Sequence, residues 1–163
     1  MKPSIVIRRG RPEDIPNVMQ LILELAQYEK ALAEVEINAE QLLKDGFGAN
    51  PLYYLWVAEN LDTKLLVGCA LCYTRYSTWK GKRLYLEDII VTQHFRNQGI
   101  GKQLLEHVFH FALENQFNGV TWQVLEWNYS AIAFYQKYNV RKDSSWVNYE
   151  ITKAELLKLF PIK

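Results

Sequence analysis

Three strand-like runs stand in succession, Tyr53 to Glu59, Leu65 to Tyr76 and Arg83 to Val91, and the last feeds a glycine-bearing turn into a long amphipathic stretch, Gly99 to Asn115. The breaks between the runs are short and polar, Asn60-Leu61-Asp62 and Thr78-Trp79-Lys80-Gly81-Lys82, so the spacing predicts an antiparallel meander. In the stretch that follows, Ile100, Leu104, Leu105, Val108, Ala112 and Leu113 recur at helical spacing and form an inward stripe. A chain built this way is neither a helical bundle nor an all-β sandwich.

The flanks agree. Ile5 to Arg8 reads as a short strand, and Pro12-Glu13-Asp14 opens a helix whose inner face is Ile15, Val18, Met19, Ile22, Leu25 and Ala26, leaving Glu24 and Gln27 in water. A second helix fits Ala39 to Lys44, ended by Asp45-Gly46-Phe47-Gly48. Downstream come an apolar strand, Val120 to Leu125, a helix capped by Asn128 or Ser130 and carrying Ile132, Phe134 and Tyr135, a last strand, Trp146 to Ile151, and a helix, Lys153 to Phe160. This order is α/β with a mixed sheet.

No linker or repeat interrupts the 163 residues, so one domain, 1–163, is expected. Nineteen Lys+Arg balance eighteen Asp+Glu, and a net charge of +1 gives no electrostatic footprint for nucleic acid or an anionic membrane. The apolar N-terminal stretch is too short for a signal peptide and no uncharged run is long enough to span a bilayer, so a cytoplasmic protein is expected. Cys69 and Cys72 lie in a strand, where residues three apart point to opposite faces; they read as buried small hydrophobes rather than a redox pair or half a zinc site. His107 and His110, three apart on one helix, and His94 lack a further ligand, so no metal is expected.

The chemistry concentrates where Leu84-Tyr85-Leu86-Glu87-Asp88-Ile89-Ile90-Val91 meets Arg96-Asn97-Gln98-Gly99-Ile100-Gly101-Lys102. A glycine-rich turn at a helix start bares backbone N–H groups and the positive end of the helix dipole, which suits a pyrophosphate. It is not a Walker A loop, because Arg96 stands where a glycine is needed and Gln103 where Ser or Thr is needed. Nor is it a dinucleotide fingerprint, whose third glycine would fall at Leu104.

Arg96-Asn97-Gln98-Gly99-Ile100-Gly101 does resemble the acyl-CoA signature Gln/Arg-x-x-Gly-x-Gly/Ala of the GNAT superfamily of N-acetyltransferases. Within it, the chain is similar to the diamine group of spermidine/spermine and thialysine N-acetyltransferases. The matching stretches are Glu24 to Glu29, Asp45 to Gly48, Trp79 to Asp88, and Glu126-Trp127-Asn128 through Phe134-Tyr135. The resemblance implies a single-domain fold with a twisted, mostly antiparallel mixed sheet of about six to seven strands, helices on both faces and a splayed central strand pair.

It also implies acetyl-CoA as donor, with its pantetheine arm along the backbone of Ile89, Ile90 and Val91 and its pyrophosphate on the amides from Asn97 to Lys102, Arg96 and Lys102 adding charge. Asn128 would help hold the donor. Tyr135, seven residues further on, matches the tyrosine that protonates the CoA sulfur. Glu87 is the candidate base, and Glu87, Asp88, Tyr28 and Glu29 would bind a cationic amine, with Trp122 and Gln123 touching it. Adjacent strand residues face opposite sides, so Glu87 and Asp88 reach one nitrogen together only if a bulge intervenes.

Two departures stand out. Asn139 occupies a position where relatives usually carry glycine, and Asn tolerates the left-handed conformation next best. The connection from Val140 to Trp146 lacks the acids of the polyamine enzymes, which favours a diamine, a thialysine-like amino acid or another small primary amine. Relatives also imply a homodimer meeting through the Trp146 to Ile151 strand. The expected activity is direct acetyl transfer to an amine in a ternary complex. The alternatives are an acyl-CoA-binding module without turnover and an acetyltransferase of protein lysines or N-termini.

Overall fold

The computed structural model describes residues 3–161. One sheet runs in sequence order: β1 (Ile5–Arg9), β2 (Tyr54–Asn60), β3 (Leu66–Ser77), β4 (Gly81–Val91) and β5 (Val120–Thr121). The first four pair antiparallel, and β5 joins β4 in parallel. The mixed, mostly antiparallel sheet expected from the sequence is present, with five strands among the described residues rather than six or seven. The helices are α1 (Ile15–Tyr28), α2 (Ala39–Phe47), α3 (Ile100–Glu114), α4 (Tyr129–Gln136) and α5 (Lys153–Leu159). The described residues divide into two compact units, one up to Leu125 and one from Glu126.

In the first unit the strand alternation sorts the core. Leu55 and Val57 of β2, Cys69 and Leu71 of β3 and Ile90 of β4 pack with Ile15, Val18 and Leu21 of α1 and Leu42 of α2. Trp56, out of phase with its neighbours, meets the Phe111 ring of α3 at 4.9 Å, and Gly68 lies against Leu104 of α3. Helices therefore cover both faces of the sheet. Val57, Leu104 and Val108 are fully buried, each contributing about 1.5–3 kcal/mol through burial.

Pro12–Asp14 forms a single 3-10 turn, and α1 proper starts at Ile15 with Pro16 in its first turn, where a missing N–H is harmless. Arg8 fastens this corner. Its Nη atoms donate to the Asp14 carboxylate at 2.7 and 2.9 Å and its Nε to Glu59 at 2.7 Å, tying β1 to the start of α1 and to β2. Helix α2 runs to Phe47, past the Lys44 end expected from its glycines, because Gly46 is a helical position onto which the Tyr53 ring packs. A Cβ there would collide with that ring.

In the second unit the Asn128 side chain accepts from Ala131 N at 3.2 Å and caps α4, while Thr152 and Glu155 form a capping box for α5. Asn139 takes the left-handed conformation, φ 52°, as expected. The Trp146 to Ile151 run is not a strand. Its alternation is that of one, but no ladder partner joins it among the described residues, and Trp146, Val147 and Tyr149 are 73%, 75% and 95% exposed. No helix among the described residues is long and apolar enough to cross a membrane.

Candidate active site

The β4–α3 junction is built by two left-handed residues. Thr92 N donates to Val67 O and closes the ladder, a 3-10 turn spans Gln93–Phe95, and Asn97 (φ 59°) and Gly99 (φ 83°) turn the chain into α3. Ile100, 2% exposed, anchors the helix start in the core. Gly99 is the N-cap and offers no side chain to the first turn, and a Cβ placed on it would meet no atom within 4 Å. The N–H groups of Ile100, Gly101 and Lys102 precede the first helical hydrogen bond, Gln103 N to Gly99 O, so they face outward with the positive end of the dipole. Open space above amide donors at a helix start fits a pyrophosphate.

The other loop residues are braces. Arg96 Nε donates to Val91 O at 2.8 Å, its guanidinium lies 5.1 Å from the centre of the Tyr28 ring, and its Nη2 is 4.0 Å from Glu24. Glu24 also accepts from Gln93 N at 3.1 Å. Glu24, expected in water, is therefore a tether between α1 and the loop; its four-residue spacing from Tyr28 was the available signal, since it places both on one helix side. Gln98 Nε2 donates to His94 O, and Lys102 pairs with Glu106 at 3.7 Å.

Beside this junction the sheet opens. β5 pairs with β4 only through Leu84↔Val120 and Tyr85↔Thr121, so the expected Val120 to Leu125 strand ends at Thr121. Arg83 clamps this short ladder, donating to Thr121 Oγ1 and to the carbonyls of Asn118 and Val120. Among the described residues the β4–β5 ladder ends at Tyr85↔Thr121. With Thr92 N given to β3, the alternation turns the backbone groups of Ile89 and Val91 to the open edge, while the Ile90 side chain stays in the core. Such an edge accepts the amides of an extended chain. Trp122 lies 6.3 Å from the Phe109 ring, and Gln123 is exposed.

The acids sit on a bulge. Leu71 pairs with Asp88 and Cys72 with Leu86, so Glu87 is an extra residue on β4 opposite the Leu71-Cys72 step. Without it, Leu86 and Asp88 would share a face. With it, Asp88 joins the face of Leu71, Tyr73 and Tyr85, where Glu87 acts electrostatically on Tyr73, Tyr85 and Asp88. The condition set by the sequence is met, and the two acids share one side of the sheet. Asp88 is pushed up to about 6 by burial and by the charges of Glu87 and Glu29. Glu29, at the end of α1, is raised by burial, and the two tyrosines are raised by burial and by Glu87. A face carrying three carboxylates and two phenols favours an alkylammonium.

The second unit carries Asn128 and Tyr135. Tyr135 is 7% exposed in α4, its ring 5.2 Å from that of Phe134, which in turn meets Tyr138 at 6.1 Å. Cys69 and Cys72 are free and buried, and burial raises both thiols well above their ordinary value, leaving them protonated fillers of the sheet. His107 Nδ1 lies 2.8 Å from Gln103 O within its own helix. Among the described residues, no group of three or more His, Cys, Asp or Glu is arranged to hold a metal ion.

Residues 17–139 match the Acetyltransferase (GNAT) family. The chain is 39% identical to the thialysine N-epsilon-acetyltransferase of Sus scrofa over 93% of its own length and 88% of that protein's. It is 37% identical to the spermidine/spermine N(1)-acetyltransferase-like protein 1 of Homo sapiens over 94% of this chain, which spans 23% of that longer relative. An integron cassette protein from the mobile metagenome of V. cholerae shares the fold, with a TM-score of 0.76, 20% identity, and coverage of 96% of this chain and 97% of that one.

Proposed function

We propose that this chain, which belongs to the GNAT acetyltransferase family, acetylates the primary amine of a small cationic substrate, a diamine, a polyamine or a thialysine-like amino acid. Family membership carries the reaction class, transfer of an acetyl group from acetyl-CoA to an amine. The observation that carries the substrate is the bulge that places Glu87 and Asp88 on one face, opposite the end of α1 with Glu29. The names of the relatives, thialysine and spermidine/spermine acetyltransferases, agree with that face.

Acetyl-CoA, when bound, supplies an activated thioester. The amides of Asn97 to Lys102 would hold its pyrophosphate, the open edge at Ile89 and Val91 its pantetheine, with Ile90 backing that edge and Asn128 assisting. Arg96 acts by shaping the loop. Glu87 and Asp88 hold the ammonium and take its proton; Asp88, raised toward neutrality by burial, is the better matched acceptor of the two. Tyr135 Oη would supply the proton for the CoA sulfur on cleavage of the thioester. Tyr28, Glu29, Trp122 and Gln123 frame the amine.

We further place the enzyme in the cytoplasm as a homodimer. The exposed Trp146, Val147 and Tyr149 support self-association, which sedimentation would test. The activity itself is tested by CoA thiol release from acetyl-CoA over diamines, polyamines, thialysine, lysine and short peptides, with Tyr135→Phe beside the wild type. Turnover on small amines, reduced by about tenfold or more in the variant, is expected. CoA binding without thiol release for any amine would leave a binding module, and preference for peptides would make the chain a protein acetyltransferase.

A further inference from the structure

The face that carries the acids continues to a cation. Alternation along β3 puts Leu71, Tyr73 and Arg75 on the same side, and Leu71 lies in the core with α1. Arg75 holds its guanidinium carbon 5.6 Å from the centre of the Tyr85 ring and acts electrostatically on both Tyr73 and Tyr85. Its cross-strand neighbour Arg83 is committed to β5. Arg75 is exposed and belongs to none of the ion pairs among the described residues.

The order along this face is therefore cation, paired phenols, carboxylates. The Tyr73↔Tyr85 rung, over which Arg75 leans, and the Leu71↔Asp88 rung are two residues apart on β3, roughly 7 Å. An extended amino acid of lysine length has a similar span between its terminal amine and its carboxylate. A diamine of that length would instead bring its second ammonium against a guanidinium, an unfavourable like-charge contact.

We propose that Arg75 receives the carboxylate of the acceptor, so that the substrate is an α-amino acid whose side chain ends in a primary amine. The planar guanidinium suits a carboxylate bidentately. This inference rests on the amine-acetyltransferase reading above and narrows it.

The test is steady-state kinetics of the wild type, Arg75→Gln and Arg75→Lys with L-lysine, L-ornithine and thialysine, each against cadaverine and putrescine, their carboxylate-free counterparts. The wild type should favour the amino acids by about tenfold or more in kcat/KM, and Arg75→Gln should raise their KM by about tenfold with kcat held. KM for the diamines should stay level or fall in that variant, and Arg75→Lys should restore part of the amino-acid preference. Equal effects on both series, or none, overturn the proposal. Turnover confined to diamines overturns it while leaving the amine reading intact; no turnover on any amine ends both.

Discussion

The Arg96 guanidinium lies 5.1 Å from the centre of the Tyr28 ring while its Nε holds the Val91 carbonyl at 2.8 Å. The loop assigned to the donor and the helix end assigned to the acceptor thus share one side chain. Arg96→Gln should raise KM for acetyl-CoA and for the amine together, and Tyr28→Leu should do so in part. A double-mutant cycle on kcat/KM should return a coupling of about 0.5–1 kcal/mol. Strict additivity would separate the two sites.

Gly99 separates folding from donor binding. Its left-handed φ of 83° makes Gly99→Ala strained by about 1 kcal/mol, a loss of about 2–4 °C in Tm, yet the added Cβ meets no protein atom. The methyl group would stand in the open space at the start of α3, beside the loop assigned to the pyrophosphate. Calorimetric titration should show CoA binding weakened by about tenfold or more, beyond what the small stability loss explains. Unchanged affinity would move the pyrophosphate elsewhere.

Asp88 gives the pH dependence. Its folded value, about 6, lies above that of an unfolded aspartate, so the folded chain binds more protons across the window between them and stability falls as pH rises through it. Asp88→Asn should remove this slope and stabilise the protein near neutral pH by on the order of 2 kcal/mol. Amine binding has the opposite demand, because the ionised carboxylate holds the ammonium. The wild-type kcat/KM should therefore decline as pH drops below about 6, and Asp88→Asn should lose that limb. Chemical denaturation and rate profiles at matched pH check both signs.

Asp14 behaves in the reverse way. Burial alone would raise it, but the Arg8 hydrogen bonds and the Arg11 amide outweigh burial and hold its carboxyl below the ordinary value. Its contribution is present above the usual aspartate range and lost as pH falls through the depressed one. Asp14→Asn leaves the half-buried Arg8 guanidinium paired with Glu59 and should cost about 1–3 kcal/mol in urea unfolding at neutral pH.

The contrast between β4 and the Trp146 to Ile151 run shows what the sequence could reveal. Arg83 to Val91, which β4 extends back to Gly81, was legible because its apolar residues, the hairpin before it and the glycine turn after it all point to one structure. Trp146 to Ile151 alternates equally well, but alternation describes side chains and a strand also needs a backbone partner, which periodicity does not name. The same limit shortened Val120 to Leu125. The bulge at Glu87 was legible only as a condition, since adjacent acids on one face require it; the register of β3 against β4 supplied the answer. The long-range partners of Arg96, Val91 O and Tyr28, were invisible to spacing, so its bracing of the loop was not legible beside the charge it offers there.

The bulged acidic face of β4 is assigned to the amine. The most direct measurement is acetyl transfer at saturating acetyl-CoA by the double variant Glu87→Gln/Asp88→Asn beside the wild type, with CoA affinity determined on the same preparations. kcat/KM for the amine should be lower by about a hundredfold, on the order of 2.7 kcal/mol, with CoA affinity unchanged. Wild-type turnover in the double variant would contradict the assignment.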